Sequence, residues 1–114
     1  MSSFDPLDLR GQERVKEEAA SRDRLAQINE ADDFKWLMAS KRGRRIVWRL
    51  LDRAGVFRSS FNTNSMTMAF IEGSRNEGLR TLGQIHTLCP ELYAVMMKEQ
   101  VNDRIADDGR RNDP

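Results

Sequence analysis

Apolar residues recur at helical spacing through the middle of this chain and thin out toward both ends. No run alternates apolar with polar residues, so the pattern predicts no strand. Residues 7–30 predict a helix with few buried positions. Glu13, Arg14, Lys16, Glu17, Glu18, Arg22, Asp23 and Arg24 crowd it, and Val15, Leu25 and Ile28 are its sparse apolar sites. A helix this polar bridges to a partner or frays when alone. Asp32 or Asp33 is then expected to cap a short helix, "DDFKWLMAS", in which Phe34, Leu37 and Met38 share a face and Trp36 flanks it. Ser40 caps the next helix, 41–54, and Gly55 stands where a left-handed C′ residue ends it. The stretch "VFRSSFNTNS" reads as a loop, with Val56, Phe57 and Phe61 tucked beneath it and Asn62, Asn64 and Ser65 as turn or cap formers. A long helix is expected over 66–87. Cys89 can cap and Pro90 suits a first helical position, so a last helix runs over about 90–105. The ending "DDGRRNDP" predicts a disordered tail. The fold expected is all-α: a small bundle of about four helices over 32–105, an extended polar helical arm over 1–31, and a tail over 106–114.

Projecting each helix at about 100° per residue sorts its faces. In 41–54, Ile46, Val47, Leu50, Leu51 and Ala54 fill one arc, and Lys41, Arg42, Arg45, Arg49 and Arg53 the opposite one. Trp48 and Arg44 border the apolar arc. In 66–87, Met68, Ile71, Gly78, Leu79, Leu82 and Ile85 form the apolar arc, and Arg75 falls inside it. In the last helix Leu92, Val95 and Met96 share a face that also holds Glu99. Two antiparallel neighbours, each with a charge on the buried side, predict a buried ion pair between Arg75 and Glu99. The alternatives are a carboxylate met across an interface, or an arginine whose stem covers core while its head reaches water. Gly73, Gly78 and Gly83 recur every five residues, which is not the spacing that lines one groove. Gly78 alone lies in the apolar arc, where it allows a close backbone approach.

Composition changes this picture only through charge. The chain has 114 residues, enough for one modest core, with 39% hydrophobic and 32% charged side chains and a net charge of +1. Residues 41–58 set seven cations against Asp52, a local net of +6 that leaves −5 for the remainder. Such asymmetry points to a basic contact surface. Cys89 is the only cysteine, so no disulfide forms within the chain, and a reducing compartment is expected. The first residues are polar where a secretory signal would be apolar, and no apolar run approaches the ~20 residues of a membrane span.

Little chemistry can be assembled from these side chains. One His and one Cys make no zinc site, and neither has the further partners a nucleophile needs. The carboxylate pairs Asp32–Asp33 and Asp107–Asp108 are sequence neighbours that do not converge on a substrate. The expectation is a protein that is not an enzyme and uses no metal and no cofactor. The candidate contact residues are Lys41, Arg42, Arg45, Arg49, Arg53 and Trp48. Guanidinium forks suit phosphate or carboxylate, and Trp48 could stack on a base. Base-specific reading would need Asn or Gln beside the arginines, and this helix has none. Phosphate contact without sequence preference and docking on an acidic protein surface both stay open.

The stretches "GRRIVWRLLDRAGVFRSSF", "AFIEGSRNEGLR" and "CPELYAVMMKEQ" resemble a family of small tailed-phage proteins of the Bordetella-phage type, encoded near portal and capsid genes in short-tailed phages. The resemblance spans roughly residues 33–100. It implies a virion structural or assembly protein made in the bacterial host cytoplasm, with portal, capsid or neck proteins as partners and an oligomeric place in the particle. It brings no catalytic residues. A nucleic-acid accessory protein for packaging or regulation, using helix 41–54 on phosphates, is the competing expectation. An adaptor for a host protein, presenting Trp36, Trp48 and Phe57, is a third.

Overall fold

The structure, a computed structural model, describes residues 6–111. Among these residues run four helices in chain order: α1 Leu9–Met38, α2 Lys41–Ala54, α3 Ser65–Leu88 and α4 Glu91–Arg111. No strand occurs among the described residues. The chain divides into two units, one ending at Asp33 and one beginning at Phe34.

The first unit is the greater part of α1. Asp8 starts it: its carboxylate accepts the Gly11 N–H at 3.0 Å and its carbonyl accepts the Gln12 N–H. Leu9, Val15, Leu25 and Ile28 are all exposed, so nothing within the unit buries this stretch. The break expected at Asp32 or Asp33 is absent, and α1 runs unbroken through both. An aspartate in a helix interior costs at most about 0.7 kcal/mol relative to alanine. No Gly or Pro lies between Gly11 and Met38 to force a stop, and extending an existing helix is cheap next to nucleating a new one.

The second unit holds the core. Met38 from α1, Val47 and Leu51 from α2, Ile85 from α3 and Met96 from α4 are fully buried, joined by Val56 and Cys89. Every helix therefore sends at least one side chain to the same centre. Phe34, Leu37, Trp48, Leu82, Leu92 and Tyr93 pack around it. On α2 the buried stripe is narrower than the apolar arc: Val47 and Leu51 are covered, while Ile46 and Leu50 stay exposed.

The turns obey local chemistry. The Ser40 hydroxyl accepts the Gly43 N–H at 3.0 Å, capping α2. Gly43 is buried, and a Cβ there would collide with the Leu37 carbonyl oxygen. Glycine thus lets the first turn of α2 lie against the end of α1. Gly55 ends α2 at φ 81°, where its N–H reaches the Asp52 carbonyl and the Val56 N–H reaches that of Leu51. This is a Schellman closure, and the buried Val56 completes it by packing in the same cluster as Leu51. Asn64 caps α3 by accepting the Thr67 N–H at 3.0 Å. Gly78 faces the end of α2, where a Cβ would lie 2.7 Å from that of Ala54; Gly73 and Gly83 face open space.

Two further expectations need correction. In the loop only Val56 is buried. Phe61 is 79% exposed, and Phe57 stacks on the Trp48 ring at 6.4 Å instead of entering the core. The tail expected from residue 106 is helical as far as Arg111, and residues 112–114 lie outside those described. Beyond Ala106 no apolar residue was needed to carry α4 onward, because elongation adds one hydrogen bond for each residue fixed.

Candidate functional site

A largely covered ion pair sits between α2 and α4. Arg44 Nε donates to Glu99 Oε1 at 2.6 Å, and Arg44 Nη1 donates to the Met38 carbonyl at 2.8 Å. The two side chains are only 13% and 16% exposed. One guanidinium thus joins α2 to α4 and satisfies a carbonyl at the end of α1 that has no partner within its own helix. This overturns the predicted Arg75–Glu99 pair. The α3–α4 hairpin turns near Cys89, which levels Glu99 with residues near 79–80, so Arg75 stands about 6 Å too far along the axis at 1.5 Å per residue. Arg75 instead lies 3.7 Å from Glu72 on its own helix, and its Nε is buried without a hydrogen-bond partner.

Beside this pair, α2 and α4 enclose an open groove of about 600 Å³. Lys41, Arg45, Trp48 and Arg49 line it from α2, and Gln100, Asp103, Arg104, Ala106, Asp107 and Arg110 from α4. Five cations therefore face two carboxylates. Lys41 is paired with Asp103 at 3.1 Å, across a sequence separation of 62. Arg45, Arg49, Arg104 and Arg110 have no ion pair among the described residues. Arg45 and Arg49 are one helical turn apart, and the Arg45 Nε is buried with no acceptor. Trp48, half-buried and backed by Phe57, supplies the groove's one aromatic surface.

Of the six predicted contact residues, the groove gathers Lys41, Arg45, Arg49 and Trp48. Arg42 and Arg53 are exposed on α2 outside it. The α4 wall went unread because its residues were assigned to the end of a helix and a loose tail. The signal was present in Asp103 and Asp107, spaced by four like Arg45 and Arg49.

Cys89 and His86 lie outside this groove, Cys89 buried and His86 exposed. Burial, reinforced by the Glu91 carboxylate and opposed by Lys35, pushes the Cys89 thiol above its usual range. The His86 ring tilts against Tyr93 at 5.1 Å, joining α3 to α4. Among the described residues no group of three His, Cys, Asp or Glu could hold a metal, and no helix is long and apolar enough to cross a membrane.

Fold and groove together define a small, charge-rich, all-α bundle protein that presents a cationic cleft. Residues 34–98 match the family model of the Bbp19-like phage proteins, and the chain belongs to that family; it is a phage protein. The match begins at Phe34, where the second unit begins, and leaves out most of α1 and the greater part of α4. No curated protein and no solved structure matches the chain.

Proposed function

We propose that the chain is a structural or assembly protein of the phage particle. It is made in the host cytoplasm and acts through contacts with other virion proteins of the head, neck or ejection apparatus. The observation that supports this most is α1. From Leu9 to Asp33 no residue is buried, and its apolar side chains Leu9, Val15, Leu25 and Ile28 all face solvent. A helix of this kind gains burial only against a neighbour. A chain of 114 residues, with only seven hydrophobic residues buried among those described, also has apolar surface left over for an assembly. The reading involves no catalytic step, metal or cofactor.

The test is incorporation. In phage carrying a tagged copy of the gene, the wild-type chain is expected in purified particles or in their assembly intermediates. Val15→Ser/Leu25→Ser/Ile28→Ser is expected to be expressed and folded but left out. Absence of the wild-type chain from both fractions sinks the reading.

A nucleic-acid accessory role is the second reading, favoured by the four groove arginines that have no ion pair among the described residues and by Arg42 and Arg53 outside the groove. Phosphate contacts through such a row would weaken steeply with salt. Asp103 and Asp107 in the same groove oppose it, since each repels a phosphate. Titration of unrelated duplex DNA at low and physiological salt, with Arg45→Ala/Arg49→Ala as control, decides between them.

A further inference from the structure

The arm and the bundle carry opposite charge. Residues 1–33 hold nine acidic and five basic side chains, and residues 34–114 hold nine acidic and fourteen basic ones. The chain is therefore an acidic segment and a basic segment of nearly equal magnitude in series. Neither excess is neutralised locally. On the arm, Glu13, Glu17, Glu18 and Asp23 are exposed and have no ion pair among the described residues. In the groove, the half-buried Arg45 and the exposed Arg49, Arg104 and Arg110 likewise have no ion pair among the described residues.

The spacing agrees as well as the sign. Glu13 and Glu17 are one turn apart on α1, as Arg45 and Arg49 are on α2. Next to the acidic pair around α1 stand Arg10 and Arg14, again one turn apart; on the other wall of the groove stand Asp103 and Asp107, with the same separation. A duplex phosphate backbone offers one sign of charge only and would meet the two aspartates unfavourably. The mixed ladder of the arm brings its acids to the arginines of both walls, and Arg10 and Arg14 to a wall that holds two aspartates beside Arg104 and Arg110.

We propose that the groove between α2 and α4 receives the arm of a second copy of this chain, with Glu13 and Glu17 against Arg45 and Arg49. The inference rests on reading the groove as a protein-docking face. The contact joins unlike surfaces, so copies exchange arms reciprocally or chain head to tail into a ring or a filament.

Charge exchange tests it on the full-length chain. Sedimentation equilibrium across a concentration series should show wild-type self-association, at least about tenfold weaker at about 0.5 M salt than at about 0.05 M, because screening shortens the reach of each pair. Arg45→Glu/Arg49→Glu and Glu13→Arg/Glu17→Arg should each be monomeric. Their equimolar mixture should associate again, because every groove then meets an arm of opposite charge. The second variant changes only exposed positions of α1, so loss of the fold does not explain its result, and circular dichroism checks both. A wild-type chain that stays monomeric overturns the proposal, as does association that ignores both reversals, or a mixture that fails to associate. If the wild type is monomeric yet Arg45→Glu/Arg49→Glu is left out of particles, the groove serves another virion protein: the proposal falls and the docking reading stands. If that variant is incorporated normally, both fall.

Discussion

Residues 9–33 and residues 34–38 belong to one unbroken helix, and they are held by different physics. Beyond Phe34 the helix is fixed by packing: Phe34 and Leu37 press on the core, and Met38 is fully buried in it. Before Asp33 no residue is buried, and what remains is backbone hydrogen bonding, the Asp8 cap and good helix formers. Secondary structure alone does not distinguish the two regions; burial does. The family match, beginning at Phe34, falls on the packed side of that line.

The packed side is the more sensitive of the two to substitution. Leu51→Ala, at a fully buried position touching the common centre, is expected to cost about 2–5 kcal/mol. Gly43→Ala should cost about 3 kcal/mol, since a methyl group there meets a backbone carbonyl that cannot rotate away. Urea unfolding reads both as a lower midpoint at constant slope. Glu99→Ala strands the Arg44 guanidinium in a nearly closed site and should cost about 2–3 kcal/mol. Adding Arg44→Ala to it should cost far less than the sum of the two singles. Full additivity in that double-mutant cycle would mean the pair is not coupled.

Smaller effects sharpen the contrast. Gly73→Ala and Gly83→Ala, in open space on α3, should raise stability by about 0.5–1 kcal/mol each, whereas Gly78→Ala should lower it. On the arm, Leu25→Ala and Ile28→Ala should leave the unfolding midpoint of the isolated protein unchanged within about 0.5 kcal/mol. A loss above that value would mean the arm is already packed in the free protein.

The parts of the fold that were legible are those decided by one or two residues. Ser40, Gly55 and Asn64 announced their caps because a hydroxyl or amide side chain, or a missing Cβ, does one local job there. Gly78 was legible from its place in the apolar arc. What failed depended on the level and range of whole elements. The spacing that put Arg75 and Glu99 on buried faces said nothing of their heights along the hairpin, and Arg44, at the border of its arc, gave no sign that α4 would reach it. Asp32 and Asp33 resemble a helix start whenever no helix is already running through them. The groove was half legible: its α2 wall follows from a one-signed arc, and the outer part of its α4 wall, at Asp107 and Arg110, required α4 to continue past the last apolar residue.

The Arg44–Glu99 contact also bears on time. It spans 55 residues of chain and closes α2 against α4, elements that meet only after the α3–α4 hairpin has turned back. An interaction of such range is expected to form after the rate-limiting step of folding, so its strength enters the opening rate far more than the closing rate. Weakening it should steepen nothing in the refolding limb of a chevron and lift the unfolding limb. In the assembly role proposed above, that rate would set how long the chain keeps its shape between synthesis and capture by a partner.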